Sequence, residues 1–318
     1  MGNEQGSSES GTQSPGFGAD ALVVFSIVVP TFRREHLLQS MFKAVQAQVS
    51  ARTGPLELLL VDNSPEASAK VIMATAPGFV RYVHEPRTGV AQARNRGISE
   101  ATGSHIIFLD DDQKPDPGWL EAFAAAAASG DRASFGSIEP EFPEAPPAHL
   151  LAPLTRVFSR QVPGASGSDV SRHRAYLGSS NSMFHRNVLA LESPPFDPAF
   201  DGGGEDVWLL RKLVDQHGIA LIWRPEARVR EVVPGQRATM DFLRRRRFSN
   251  GQLRCLVESG AGGLRGAASV TVWMVVGMLQ AVVQGLLTLA VWPFSRAQSA
   301  RFHLAAIGGL GKLLWWMR

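Results

Sequence analysis

Apolar runs alternate with amphipathic stretches over the first third of the chain. The run LVVFSIVVP, from Leu22, is continuous, as in a strand buried on both faces of a parallel sheet. Apolar residues then recur at helical spacing between Leu37 and Val45. Further strands are predicted at residues 56–61, 80–84 and 106–109, with a further helix at about 90–101. Strand and helix in alternation predict an α/β fold with a mostly parallel central sheet.

The two ends of the chain have a different character. Gly, Ser, Glu and Gln dominate residues 1–22, which predicts a disordered tail without the features of a signal peptide. No charged residue occurs from Gly266 to Ser295, a run long enough to span a bilayer. Gln280 and Gln284 lower its hydrophobicity, so an in-plane or re-entrant helix remains open. The chain therefore divides into a tail (1–22), a central domain (23–255) and a C-terminal membrane-associated helical region (256–318).

Basic residues lie on both flanks of this apolar run. Those on the N-terminal flank predict that this side faces the cytoplasm: Arg244–Arg247, Arg254 and Arg265. Those on the other flank favour a hairpin or a surface-lying terminus over a single span: Arg296, Arg301, Lys312 and Arg318. The net charge is +3, and no nucleic-acid motif accompanies it, which favours diphosphates and anionic lipid over nucleic acid as partners. A single cysteine, Cys255, excludes an intramolecular disulfide and a cysteine-based zinc site.

Polar residues follow the predicted strands, and in open α/β sheets ligands bind at the carboxyl ends of the strands. Thr31 and Arg33 follow the first strand, Asp62 the second, Arg87 the third, and Asp110–Asp112 the fourth. Three adjacent carboxylates repel one another, and a divalent cation such as Mg²⁺ or Mn²⁺ is the usual counter-charge. Taken singly, the triplet could be a solvated acidic turn and Asp62 a helix cap.

A second acidic pair, Glu205-Asp206, begins a predicted helix after the flexible turn at residues 201–204. This pair lies far from the triplet in sequence. It can therefore supply a base whose negative charge the metal does not neutralise. The alternative is that both residues are N-terminal helix acids favoured by the helix dipole.

Five segments together resemble the family 2 glycosyltransferases, which have the GT-A fold. The resemblance extends from about Phe25 to Gly251, and the segments that carry it are Val28–Arg34, Leu60–Ser64, Arg87–Ile98, Phe108–Asp112 and Gly203–Leu209. It implies that the central domain is catalytic and that a nucleotide-diphosphate sugar, with UDP favoured, lies across the strand ends.

The resemblance also implies a role for each motif residue. On the donor side, the nucleotide-sugar ligands would be Thr31, Arg33, Asp62, Arg87, Arg94, Asp110 and Asp111, with Arg237 on the diphosphate. Asp112 would hold Mg²⁺ or Mn²⁺. Asp206 would be the general base, with Glu205 as a second catalytic residue or a contact to the acceptor or diphosphate. On the acceptor side, the expected residues are Gly204 and Asn181, although a turn or strand-end hydrogen bond is an equal alternative for Asn181. The Pro- and Ala-rich segment 139–171 is predicted to be an irregular, mobile loop toward the acceptor.

These features predict an inverting, metal-dependent glycosyltransferase at the cytoplasmic face of a membrane, extending a lipid-linked saccharide for an envelope polysaccharide. Two alternatives stay open: a polyprenyl-phosphate sugar transferase of the same family, and a non-catalytic nucleotide-binding membrane protein. An Asp-x-Asp phosphotransferase is disfavoured, because Lys114 stands at the fifth position of the motif and the motif follows a late strand.

Overall fold

The computed structural model describes residues 25–49, 56–200, 202–260 and 262–317, so the predicted tail lies outside the described residues. The strands in it are β1 (Phe25–Thr31), β2 (Leu56–Asp62), β3 (Val80–His84), β4 (His105–Phe108), β5 (Gln113–Pro115), β6 (Ala133–Glu141), β7 (Ser182–His185) and β8 (Ile222–Val232). The α-helices are α1 (Glu35–Gln46), α2 (Val90–Glu100), α3 (Trp119–Ala128), α4 (Ala148–Phe158), α5 (Arg186–Leu189), α6 (Glu205–Asp215), α7 (Met240–Ser259), α8 (Gly263–Val291) and α9 (Arg296–Leu313).

All eight strands form one sheet in the order β3-β2-β1-β4-β7-β6-β8-β5. Strands β1 to β4 pair in parallel, as predicted, and β6 pairs in parallel with β8. The antiparallel strand β7 lies between β4 and β6, and β5 runs antiparallel to β8 at the edge. The sheet is therefore mixed but mostly parallel, and the carboxyl ends of β1, β2 and β4 meet at one edge.

Apolar side chains fill a layer on each face of the sheet, because the central strands are buried on both sides. One layer includes Val28, Phe108, Phe184 and Leu209 of α6. The other includes Ile27, Ile107, Met183, Phe42 of α1 and Trp119 of α3. Packing on both faces fixes the strands whose ends carry the acidic residues.

The segment 139–171 is not irregular throughout, and that expectation is wrong for residues 148–158. Helix α4 forms there because Leu150, Leu154 and Phe158 recur at helical spacing. All three are buried in a third cluster with Leu243 of α7 and Leu304 of α9. The helix therefore links the central sheet to the C-terminal helices.

The three C-terminal helices pack together, and α9 contacts both α7 and α8 closely. A side chain on Gly277 of α8 would clash with the backbone of Gly309, and one on Gly251 of α7 would clash with Gly308. Glycine therefore lets both neighbours approach α9 closely. Since α8 and α9 are antiparallel, the predicted hairpin is present. Helix α7 crosses the predicted boundary at residue 255, so the division into domains stays a prediction.

Candidate active site

Hydrogen bonds join residues at the end of β1 to the acidic triplet that follows β4. Thr31 Oγ1 donates to Asp111 Oδ2 over 2.8 Å. Arg34 Nη1 donates to Asp111 Oδ1 over 2.9 Å and to Asp112 Oδ2 over 3.1 Å. Arg237, which follows β8, donates to the same oxygen of Asp112 over 2.9 Å. Strand ends that are far apart in sequence thus converge on two buried carboxylates.

Several carboxylates crowd this edge of the sheet, and their pKa values are raised. Burial raises the pKa of Asp111 to about 6, although Arg34 opposes the shift. Burial and the nearby Asp110 raise the pKa of Asp112. Burial, Asp112 and Asp110 raise the pKa of Glu231 on β8 to about 8. Burial and neighbouring carboxylates therefore disfavour the ionised forms of these groups, and a bound cation would offset both effects.

The donor set of this acidic edge fits a hard divalent cation in part. Carboxylate oxygens are the ligands that Mg²⁺ and Mn²⁺ prefer, and Asp112 presents one in an acidic setting. Within the described ranges, however, no three His, Cys, Asp or Glu residues are close enough to hold a metal by themselves. A cation here would need further oxygens from a bound ligand, as Mg²⁺ commonly takes from substrate phosphates.

Arg94 of α2 connects the triplet to the acidic pair on α6. Its Nη1 donates to Glu205 Oε1 over 2.6 Å, and its Nη2 lies 3.8 Å from Asp110 Oδ1. Both Arg94 and Glu205 are buried, and Glu205 Oε2 has no hydrogen-bond partner among the described residues. Burial and the adjacent Asp206 raise the pKa of Glu205 to about 7. The two predicted motifs are thus separated by one guanidinium.

Asp206 differs from Glu205 because it is partly exposed and forms no ion pair in the described part of the chain. Its Oδ1 accepts from the Val207 amide over 2.7 Å at the start of α6. A Cβ on Gly178 would lie 3.2 Å from Asp206 Oδ2, and Gly178 has a positive φ of 65°. The 177–181 loop therefore borders an ionisable oxygen that can accept a proton.

Three predicted nucleotide contacts are engaged elsewhere in this structure. Asp62 has no exposed surface, and its oxygens accept from Ser64, the Ala69 amide and Tyr82. The exposed Arg33 forms an ion pair with Glu66 over 2.6 Å. Arg87, also exposed, pairs with Glu85 over 2.8 Å. A ligand could reach Asp62 only if the turn around it moved, whereas the two arginines lie at the surface.

The expected acceptor contact at Asn181 is not supported, because its side chain is fully buried. Trp119 Nε1 donates to its Oδ1 over 2.8 Å, and its Nδ2 donates to the carbonyls of Ser137 and Ala227. These contacts correspond to the structural alternative, as hydrogen bonds from the start of β7 to α3, β6 and β8. The Cα of Gly204, also expected on the acceptor side, faces Leu253 and Val257 of α7, so its role there stays a prediction.

Sequence reasoning missed Arg34, Glu231 and Arg160. Arg160 is buried and donates to the carbonyls of Gly136, Leu177, Gly178, Ser180 and Asn181. It therefore holds the 177–181 loop beside Asp206. Position next to Arg33 could have suggested Arg34. Nothing in the local sequence marks Arg160 or Glu231, because their importance arises from contacts with distant segments.

Comparisons with known proteins identify the family. The family profile "Glycosyl transferase family 2" matches residues 26–183. The succinoglycan biosynthesis protein ExoM of Rhizobium meliloti is 29% identical over 77% of this chain and 78% of its own length. The GalNAc(5)-diNAcBac-PP-undecaprenol β-1,3-glucosyltransferase of Campylobacter jejuni is 25% identical over 58% of each chain.

A solved structure supports the fold separately. The crystal structure of S. aureus TarS 1-349 in complex with UDP superposes with a TM-score of 0.50 at 15% identity, covering 86% of this chain and 72% of that one. This similarity concerns the fold alone. With its GT-A-like α/β sheet, its family profile and these relatives, the chain belongs to glycosyl transferase family 2 and is a glycosyltransferase.

Proposed function

We propose that this glycosyltransferase is inverting and moves a sugar from a nucleotide diphosphate to a hydroxyl of a lipid-linked saccharide. The observation that carries the proposal is the position of Arg94 between Asp110 and Glu205. It brings the donor-side triplet and the acidic pair within one side chain of each other. A single displacement needs this arrangement, with a base on one side of the anomeric carbon and leaving-group stabilisation on the other.

Asp206 acts as the base in this proposal. Its partly exposed carboxylate takes the proton of the acceptor hydroxyl while that oxygen forms a bond to the anomeric carbon. The bond from that carbon to the diphosphate breaks, and inversion follows from the single displacement. Glu205 is less suited to the task because its Oε1 is already paired with Arg94. Glu205 instead holds Arg94 toward the sugar-diphosphate.

Arg34 and Arg237 stabilise the leaving diphosphate, because their guanidinium groups lie at Asp112 and match phosphate geometry. Asp112 would hold Mg²⁺ or Mn²⁺, with oxygens of the diphosphate completing the ligand set. Such an ion supplies positive charge to the departing diphosphate. In this structure the two arginines hold Asp112, and we expect them to contact the phosphates when the donor binds.

Similarity to relatives favours UDP and a lipid-linked acceptor. The TarS structure contains UDP, and the name of the Campylobacter enzyme specifies a saccharide linked through PP to undecaprenol. A polyprenyl phosphate as direct acceptor remains the alternative.

We also propose that α8 lies in the plane of the membrane on the cytoplasmic side. It is long and apolar enough to span a bilayer, and few of its residues are buried. Its partner α9 contacts it at Thr288 through Ser299 and at Gln280 through Ala305. Arg244 of α7 donates to His303 of α9, which lies between Ser299 and Ala305 in sequence.

Arginines 244–247 are therefore level with the middle of α8. A perpendicular α8 would carry all four into the hydrocarbon, where charged residues are costly. An in-plane α8 instead keeps them at the headgroups, where anionic lipid attracts them.

Substitution of the base tests the transfer chemistry. We expect Asp206→Asn to slow UDP release from UDP-sugars, measured on membranes containing the expressed protein, by ~10²-fold or more, without weakening UDP binding. Asp241→Asn, an exposed acid on α7, is the matched control. Equal UDP release by Asp206→Asn and the unsubstituted chain would favour the non-catalytic alternative or another base.

A further inference from the structure

A basic cavity lies outside the donor site, beside the acidic pair on α6. It has a volume of about 280 Å³ and lies between the turn at Ser171–Tyr176, α6 and α7. Four arginines line it: Arg172, Arg174, Arg211 and Arg254. Glu258 is the one acidic residue in its described wall.

Positive charge in this cavity is only partly neutralised. Arg174 pairs with Asp215 over 3.0 Å, and Arg211 pairs with Glu258 over 3.0 Å. No carboxylate in the described ranges lies within ion-pair distance of Arg172 or Arg254. Because two of the four guanidinium groups lack an acidic partner, the cavity is suited to an anion. Arginine's planar donors favour phosphate in particular.

The position of the cavity relates it to both the base and the membrane helix. Val207, which follows Asp206 directly, lies in the cavity wall. The guanidinium of Arg254 lies over the ring of Trp273 on α8, with 4.8 Å to the centroid, and 5.9 Å from the ring of Tyr176. The cavity therefore borders both the residue beside the base and an arginine that contacts the apolar helix.

We propose that this cavity binds the phosphate or diphosphate of a lipid-linked acceptor. An anion held by Arg172 and Arg254 would leave the saccharide on the Asp206 side and the lipid chain on the α8 side. The donor diphosphate is served by different residues, since Arg34 and Arg237 lie at Asp112. The identity of the ligand as an acceptor rests on the proposed transfer to a lipid-linked saccharide, whereas the anion site itself does not.

Calorimetric titration with farnesyl diphosphate tests the proposal on the full chain, in the presence of saturating UDP and Mn²⁺ so that the donor site is filled. We expect the double variant Arg172→Gln/Arg254→Gln to weaken binding by about tenfold or more, with UDP affinity unchanged. Arg132→Gln replaces an exposed arginine elsewhere and should leave both affinities unchanged.

Farnesol and inorganic pyrophosphate test whether the natural ligand is a lipid-linked phosphate or a free one. Farnesol should bind much more weakly than farnesyl diphosphate, and inorganic pyrophosphate should bind more weakly because it cannot contact α8. Equal affinity of the double variant and the parent for farnesyl diphosphate would overturn the site. Pyrophosphate that binds as tightly as farnesyl diphosphate would overturn the lipid-linked assignment. Loss of UDP binding with retained, arginine-dependent farnesyl diphosphate binding would contradict the proposed transfer and leave the anion site standing.

Discussion

Arg94 is a buried cation between two acidic motifs, the triplet that follows β4 and the pair that begins α6. These motifs lie far apart in sequence. Its role could be anticipated only as a nucleotide contact, because the sequence does not reveal that Glu205 lies 2.6 Å away. The triplet itself was predictable, since three acids directly follow an apolar strand. Asn181 was harder to interpret, because an amide in a loop looks the same whether it contacts a sugar or Trp119.

The pKa of Glu205 has a consequence for stability. Burial and Asp206 raise this pKa from 4.5 to about 7 in the folded protein. Between these values the folded state binds more protons than the unfolded state. The contribution of Glu205 to the free energy of unfolding therefore falls as pH rises through this window.

We expect Glu205→Gln to remove this contribution. We compare the free energy of unfolding of the variant with that of the unsubstituted chain at each pH. The difference, variant minus unsubstituted chain, should be more positive at pH 8 than at pH 5 by roughly 1–3 kcal/mol. Urea denaturation at the two pH values measures it, with Glu121→Gln on the exposed face of α3 as the control. A difference that does not change with pH would show that Glu205 is ionised throughout.

At the scale of elements, periodicity predicted β1 to β4 and the first two helices well, because these strands are continuous apolar runs. It did not predict β6 to β8, whose pairing joins segments far apart in sequence. Helix α4 was missed because Pro153 and a Pro-rich approach suggested a loop. The C-terminal hairpin followed from charge on both flanks, but its packing on α7 did not.

Two glycines of α8 provide a matched test of that packing. A Cβ at Gly277 would lie 2.7 Å from Gly309 O, whereas a Cβ at Gly285 meets nothing within 4 Å. We expect Gly277→Ala to lower stability by roughly 1–3 kcal/mol and Gly285→Ala to raise it by up to about 1 kcal/mol through helix propensity. Thermal unfolding in detergent measures both. Equal effects of the two substitutions would contradict close packing of α8 on α9.

For the whole molecule, the placement of the bilayer decides how donor and acceptor reach the site. An in-plane α8 keeps both of its ends, and the whole catalytic domain, on the cytoplasmic side. Hydrophobicity alone could not distinguish this arrangement from a span. The contacts of α9 with both α7 and α8 favour the in-plane placement, because they make the arginines of α7 level with the middle of α8.

Cysteine labelling tests this placement. The variants Arg265→Cys and Arg296→Cys each place a thiol at an exposed position near one end of α8. The native Cys255 is buried, and labelling of the parent chain measures its background. We expect an impermeant maleimide to label both variants in inverted inner-membrane vesicles and neither in spheroplasts. Labelling of one variant from each side would establish a span.

The most direct test of the central claim is calorimetric titration of the full chain with UDP, GDP, CDP and dTDP, with and without Mn²⁺. We predict that one diphosphate, UDP, binds in a metal-dependent manner and that Asp112→Ala weakens this binding by about tenfold or more. If none of the four diphosphates binds, or if UDP binds equally well without Mn²⁺ and in Asp112→Ala, the proposed metal-assisted donor site is wrong.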